Sequence, residues 1–327
     1  MSLIIHHWDT DGIASAALIA SIVERRGKEW ENITPHIGIY SFSSDILEAA
    51  DGLDEVYVVD LNVPTEELLK LAKVCRRVIF IDHHSNQRPI VSRKILYINP
   101  ITFGSTEREF PSTTWVISDI YSEWGYLSAL GALGDLGVNK LRKYCMEPQV
   151  RELLKCAMLS IEDARALVRL LDSFSIVRDR IGVMSVVKDL LRENPKKLLH
   201  NKRLNKNLKA IENEIRRVMK NVTEDGGIAV VTFNSNYDVV SKVARALVWD
   251  HGYKAAIVAN LKEINGAYKV YLRLNPETAG EIDIGKILDE IRRKGIQCGG
   301  KVDVLGVNAR SYDEALQVVN LIRRLLK

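Results

Sequence analysis

The sequence predicts an α/β protein: an N-terminal parallel sheet covered by helices, a helical connector, and a smaller C-terminal α/β domain. Three observations carry this expectation. Short apolar runs alternate with helix-period segments through residues 1–190, the pattern of strands joined by crossover helices. A basic segment whose apolar residues recur at three- and four-residue steps follows, in residues 191–225. Strand-like runs then return after Gly226 and alternate with helical ones through residues 226–327.

In the first part, strands are expected at 3–7, 55–60, 77–82 and 94–98. Helices are expected at 12–26, 65–75 and 112–124, and the chain reads as mostly helical from 126 to 190. Residues 188–220 hold 11 Lys/Arg against 4 Asp/Glu. Leu204, Leu208, Ile211, Ile215, Val218 and Val222 form one apolar seam there, so the charges of a helix near 195–220 point outward, to solvent or to phosphates. Later strands are expected at 228–233, 255–259 and 268–273, with helices near 237–250, 283–294 and 312–325.

Three of the early apolar runs end in ligand-type side chains. Leu3-Ile4-Ile5 leads into His6-His7-Trp8-Asp9-Thr10-Asp11-Gly12, Val56-Tyr57-Val58-Val59 into Asp60, and Val78-Ile79-Phe80-Ile81 into Asp82-His83-His84. Open parallel sheets bind ligands at the carboxyl ends of their strands. Clustered carboxylates repel one another unless cations sit among them, and carboxylate with imidazole suits divalent transition metals. The number of acids and histidines exceeds the three protein ligands of a catalytic zinc. The surplus points to two ions sharing a bridging carboxylate, the arrangement that clamps attacking and leaving oxygens in phosphoester hydrolysis. Taken singly, Asp9, Asp11 and Asp60 also suit helix caps or turns, and Thr10-Asp11-Gly12 reads as a turn entering a helix. His6 is the alternative to His7, whereas His36, His200 and His251 stand alone and are expected to be structural or solvated.

His7-x-Asp9-x-Asp11-Gly12, Asp60 and Asp82-His83-His84, in this order, resemble the first three motifs of the DHH phosphoesterase superfamily. Gly131-Ala132-Leu133-Gly134-Asp135 is similar to its fourth, and Asn99-Pro100 with Ser112-Thr113-Thr114 to its intervening segment. The resemblance implies one ion on His7, Asp9 and Asp60, and a second on Asp11, Asp60, His83 and Asp135. It places His84 toward the substrate phosphate or the attacking water, with Asp82 supporting it. Two divalent ions are implied, manganese in the usual case, with magnesium the alternative.

The C-terminal part resembles the DHH-associated domain that binds substrate. Val270-Tyr271-Leu272-Arg273 is similar to a strand with a substrate-facing Arg, and Ile282-Asp283-Ile284 to the element that follows. Cys298-Gly299-Gly300-Lys301-Val302-Asp303-Val304-Leu305-Gly306 corresponds to a glycine-rich signature, which implies substrate contacts from Arg273, Gly299, Gly300 and Lys301. This chain departs from the signature, with Lys301 where a His is expected and Val304-Leu305 where a small Ala-Ala pair is expected. A plain Gly-Gly turn between helix and strand is the other reading of this segment.

With both halves matched, the resemblance implies a compact RecJ-like exonuclease on single-stranded DNA or RNA. The alternatives are a nanoRNase or cyclic-dinucleotide phosphodiesterase, or a non-catalytic replication or repair scaffold. Many Lys, Arg and Ile with only four Gln resemble thermophile composition, which directs the expectation to an archaeal nuclease working beside a repair helicase or replication protein.

Composition sets further bounds. Two domains suit 327 residues, and 46% hydrophobic with 27% charged residues is ordinary for a globular protein. The uncharged apolar stretch 13–23 is too short to span a bilayer, so no membrane partner is expected. The N-terminus lacks a secretory layout, and cytoplasmic location is the expectation. Cys75, Cys145, Cys156 and Cys298 are scattered without a CxxC pair, which excludes a zinc knuckle and a disulfide framework.

Overall fold

The computed structural model describes residues 1–85, 89–277, 280 and 282–326, in two compact units. The first comprises 1–175 and 179–208, the second 176–178 and 209–327. The segment 191–225, expected as a connector, is divided between them: residues up to 208 group with the first unit and those from 209 with the second.

The first unit opens with β1 (Ser2–His6), α1 (Thr10–Arg25), β2 (Trp30–Ile33), α2 (Ser44–Ala50), β3 (Glu55–Val59), α3 (Thr65–Val74), β4 (Val78–Ile81) and β5 (Ile95–Ile98). A short 3-10 turn follows at Pro100–Phe103. The helical stretch is α4 (Thr113–Tyr121), α5 (Tyr126–Lys143), α6 (Glu147–Lys155), α7 (Ile161–Val177), α8 (Arg180–Arg192), α9 (Pro195–Leu198) and α10 (Lys202–Met219). All five strands are parallel, in the order β2-β1-β3-β4-β5.

That order explains the run-type strands. β1, β3 and β4 are interior and buried along nearly their whole length, as continuous apolar runs require. Edge strand β2, Trp-Glu-Asn-Ile, lacks such a run and leaves no strand signature in the sequence. The direction of chain progress across the sheet reverses between β1 and β3, the crevice where open α/β sheets place ligands. β1, β3 and β4 are consecutive in the sheet, so the segments leaving their carboxyl ends are neighbours.

α1 is buried around most of its circumference, which its Ala, Ser and Gly content permits at close range. Gly12 has no room for a side chain, because a Cβ would lie 2.5 Å from the His7 carbonyl oxygen. Gly131 on α5 is tighter still: a Cβ would come within 2.1 Å of both Asp11 Oδ1 and Thr114 Oγ1. The small residues of α5 therefore let Asp11 reach the start of α4.

The second unit adds β6 (Thr223–Asp225), β7 (Ile228–Phe233), α11 (Val240–Arg245), β8 (Ala255–Ile264), β9 (Ala267–Leu274), α12 (Ile284–Arg293), β10 (Gln297–Lys301), β11 (Val304–Ala309) and α13 (Tyr312–Leu325). Its mixed sheet runs β10-β11-β9-β8-β7-β6, with only β7 and β8 parallel. Alternate residues divide between two cores. Ile257, Val270, Leu272, Leu305 and Val307 pack with α12 and α13, while Val231, Ala256 and Val258 pack with α11. Residues 298–306 form a β10–β11 hairpin with Gly299 and Gly300 inside β10, which sets aside the alternative reading of a plain Gly-Gly turn between helix and strand. Expected helix 237–250 is shorter, continuing from α11 into a single π turn at Ala246–Asp250.

Gly131→Ala is expected to cost about 1–3 kcal/mol by overpacking, and to displace the Asp11 carboxylate. A lowered melting temperature with weakened divalent-ion binding checks this, and wild-type values for both would contradict it.

Candidate metal centre

Each of the three strand ends extends its backbone pairing by one residue and then releases a ligand-type side chain. His7 N–H donates to Val59 O (3.3 Å), Asp60 N–H to Ile81 O (3.0 Å), and Asp82 N–H to Ile98 O (3.0 Å). Asp60 turns the chain with φ 55°, a left-handed conformation that Asp tolerates better than most side chains. It is 2% exposed.

Three groups of side chains offer ligand atoms within 4.8 Å of one another: His7, Asp9 and Asp60; Asp11, His83 and Asp135; and Asp60, Asp82, His83 and His84. These eight residues are the eight metal and catalytic positions expected from the sequence. Asp60 lies between the two histidines, with Oδ2 3.8 Å from His7 Nδ1 and Oδ1 3.6 Å from His83 Nε2. His7 Nδ1 is 2.8 Å from Asp9 Oδ2, and His83 Nε2 is 2.9 Å from Asp135 Oδ2.

The acids have distinct supports. Asp9 caps α1 by accepting from Gly12 N–H at Oδ1 (3.0 Å), so it serves as helix cap while its Oδ2 meets His7. Asp11 accepts from Thr113 N–H (2.6 Å) and Thr114 N–H (3.1 Å), the free donors at the start of α4. Thr113 Oγ1–H donates to Asp60 Oδ1 (2.9 Å). Asp82, fully buried, accepts from His83 N–H (2.8 Å) and holds His84 Nδ1 at 2.7 Å. Asn99 Nδ2–H donates to the His84 carbonyl (2.9 Å), which fixes the loop carrying both histidines.

His6 is excluded as an alternative to His7. Its ring is buried against the His7 carbonyl (2.7 Å) and Asn32 Oδ1 (3.1 Å), and burial lowers its pKa to about 4. His36, His200 and His251 belong to none of the ligand groups among the described residues. Sequence reasoning did not find Tyr40, whose hydroxyl lies 3.4 Å from His7 Nε2 and whose ring stacks on His7. It arrives from the segment between β2 and α2, where no motif marks it. Burial, with Asp9 and Asp60 close by, pushes its pKa to about 12.

The electrostatics are those of crowded, buried carboxylates and imidazoles. Burial raises Asp60 well above the carboxylate range, and Asp11, Asp9, Asp135 and Asp82 raise it further. Burial also raises Asp135, to about 7, against the lowering effect of His83. For Asp9, burial is outweighed by the His7 ring and the Gly12 N–H, which hold it well below the usual range. Burial would lower His83 and His84, but neighbouring acids win, Asp135 and Asp11 bringing His83 to about 9 and Asp82 raising His84. Among the described residues, His83 Nδ1 and Asp82 Oδ2 are buried without a hydrogen-bond partner, while His7 Nδ1 and His83 Nε2 meet only carboxylates. Such atoms are costly unless something binds them. Mixed carboxylate and imidazole donors with unspent lone pairs fit divalent ions of the manganese kind.

Residues 2–161 match the DHH family, N-terminal domain, and through that domain the chain belongs to the DHH family. None of the curated proteins matches the chain in sequence. Among solved structures, the DHH domain of a member of a family of ribosomal proteins has a TM-score of 0.67 at 16% identity, over 99% of this chain and 86% of that one. An exonuclease RecJ bound to manganese has a TM-score of 0.62 at 15% identity, over 98% and 90%. RecJ from Thermus thermophilus in complex with Mn2+ has a TM-score of 0.66 at 17% identity, over 99% and 51%. At these identities the likeness is one of fold, and it extends across both units.

The raised pKa values carry a pH prediction. Asp135 titrates at about 7 in the fold against an ordinary 3.8, so metal-free stability falls as pH rises through that interval. The contribution of His83 is full below 6.5 and lost as pH rises through about 9. Divalent ions replace these protons with fixed positive charge. The melting-temperature increment from Mn2+ over a chelator is therefore expected to be larger at pH 8 than at pH 5.5. Equal increments at the two pH values would contradict this.

Proposed function

We propose that this protein is a two-metal phosphodiesterase, a RecJ-like exonuclease that hydrolyses single-stranded DNA or RNA. The observation that carries the reading is the position of Asp60, a buried carboxylate with one oxygen toward each of two imidazole–carboxylate groups. In this reading His7, Asp9 and Asp60 hold one ion and Asp11, Asp60, His83 and Asp135 the other. Mn2+ is the favoured occupant, with Mg2+ the alternative. When bound, such a pair supplies Lewis acidity toward phosphate oxygens and an acidified water at neutral pH.

The remaining chemistry belongs to the chain. Asp82 holds His84 Nδ1, which leaves Nε2 as the ring nitrogen free to meet substrate, on a side chain that is 41% exposed. The raised pKa keeps His84 protonated further up the pH scale, suited to binding a phosphate oxygen or giving a proton to the departing one. Tyr40 steadies His7: with Nδ1 committed to ligation, Nε2–H donates to the Tyr40 hydroxyl.

In the second unit, Arg273, Gly299, Gly300 and Lys301 are assigned to substrate. Lys301 is exposed and open to an anion, whereas Arg273 is paired with Asp303 at 2.9 Å, a carboxylate that a substrate phosphate would have to displace or share. The basic face of α10 is assigned to the strand backbone, with one revision. Arg203 is engaged with Ser185, Asp189 and the Phe174 ring, so Lys202 and Lys206, both exposed, carry the assignment. No helix among the described residues is long and apolar enough to cross a membrane. A repair helicase or replication protein as partner belongs to the same proposal.

Labelled oligonucleotides of graded length with Mn2+ test the reading. Degradation of long strands supports the exonuclease. Activity confined to dimers through pentamers or to cyclic dinucleotides replaces it with the short-substrate enzyme, and no cleavage replaces it with the scaffold.

Asp60→Ala is expected to lose both ions and nearly all activity, whereas His83→Ala loses mainly the second ion. Metal counting on the purified variants decides, and two ions retained in Asp60→Ala would remove the bridge. For the basic helix, each neutralised phosphate contributes roughly −0.7 to the slope of log K against log salt for single strands. Replacing Lys202 and Lys206 with Gln should flatten that slope by up to about 1.4, and an unchanged slope returns this face to solvent.

A further inference from the structure

On the α11 side of the second sheet, several groups stand together that the metal chemistry does not use. Trp249 lies in the π turn after α11 and remains 52% exposed. Two guanidinium groups are held on its ring, Arg273 at 5.0 Å and Arg245 at 5.6 Å from the centroid. Arg273 is 13% exposed on its side chain, and its Nε is buried with no hydrogen-bond partner. Among the described residues Arg245 has no ion pair.

The sheet register extends this face. Arg273 is opposite Val304, which is opposite Lys301, so the two cations share a row and a side of the sheet. The next row on that side is Tyr271, Gly306 and Gly299. Among the described residues, nothing lies within 4 Å of where a Cβ would stand on either glycine. Beside Tyr271 there is thus a strip of bare backbone, bordered by Arg273 and Lys301.

A single exposed aromatic residue is ordinary on a protein surface. Here the indole is on a π turn, a distortion that recurs at functional sites, and two cations lie on it, Arg245 and the Asp303-paired Arg273. Aromatic faces flanked by Arg and Lys are how proteins hold single-stranded nucleic acid, stacking bases while the cations take phosphates. We infer that Trp249 is a stacking platform for a nucleobase of the substrate, with Arg245, Arg273 and Lys301 receiving the adjoining phosphates. This rests on the nucleic-acid reading above and adds which part of the strand is gripped and by what.

Binding without cleavage tests it. Full-length protein in a chelator is titrated into fluorescein-labelled single-stranded pentamers of adenine nucleotides and into the same backbone without bases, in DNA and RNA versions. The expected result is that Trp249→Ala weakens binding of the base-bearing strand by about five- to a hundredfold, from the usual worth of one stacked base. Binding of the abasic strand is left unchanged, and Trp249→Phe recovers part of the loss. Equal weakening on both strands would make Trp249 a structural residue, and full affinity on both would remove the platform. Either result with a wild-type protein that still cleaves strands overturns the platform alone. A wild-type protein that binds neither strand overturns the platform and the nucleic-acid reading together.

Discussion

Packing four carboxylates and two imidazoles around Asp60, largely away from water, is the constraint on which the first unit depends. Like charges at such separations cannot all ionise in a medium that solvates them poorly. The fold answers with a few well-placed donors. The start of α4 gives two N–H groups to Asp11 and a hydroxyl to Asp60, and Gly12 gives its N–H to Asp9. These donors fall short of the charge, which is why Asp60 and Asp135 are pushed toward their protonated forms. Protonation relieves part of this repulsion, and a cation held among the same groups would relieve the rest.

Other features of the unit follow from the same requirement. α4 can present its first turn to Asp11 only if α1, α4 and α5 approach closely, and that explains the Ala-, Ser- and Gly-rich faces of α1 and α5. The parallel sheet supplies the remaining condition. Because β1, β3 and β4 are adjacent and point the same way, side chains released one residue past each strand land in one place. Asp60 accepts a left-handed backbone to be released there, a cost of order 1–3 kcal/mol in general, offset by the rigid strands on either side.

The second unit is built on a different balance. Its sheet has two apolar faces with a helical cover on each, yet the row holding Tyr271, Gly306 and Gly299 is bare at its glycines. Arg273, Lys301 and Tyr271 gather at that place. The candidate metal ligands and the Arg273–Lys301 row thus belong to separate cores, each able to keep its own geometry.

The amino-acid sequence by itself determined the elements whose signal is local. Continuous apolar runs identify interior parallel strands, so β1, β3 and β4 and the acids and histidines at their ends were legible, as was the seam of α10. The strand ends grouped His7, Asp9, Asp11, Asp60 and His83, because strand ends in such sheets share one edge, whereas Asp135, on helix α5, joined them only through resemblance to a family motif. What only the tertiary structure decided is whatever depends on groups distant in the chain. The two N–H groups on Asp11 come from Thr113 and Thr114, and the close approach at Gly131 has meaning only beside Asp11. Tyr40 reaches His7 from a segment with no periodicity at all. Strands β2 and β10 were illegible for a related reason: edge strands bury little, so their residues need not be apolar. The pairing of Trp249 with Arg245 and Arg273 likewise exists only once β9 and the π turn are packed together.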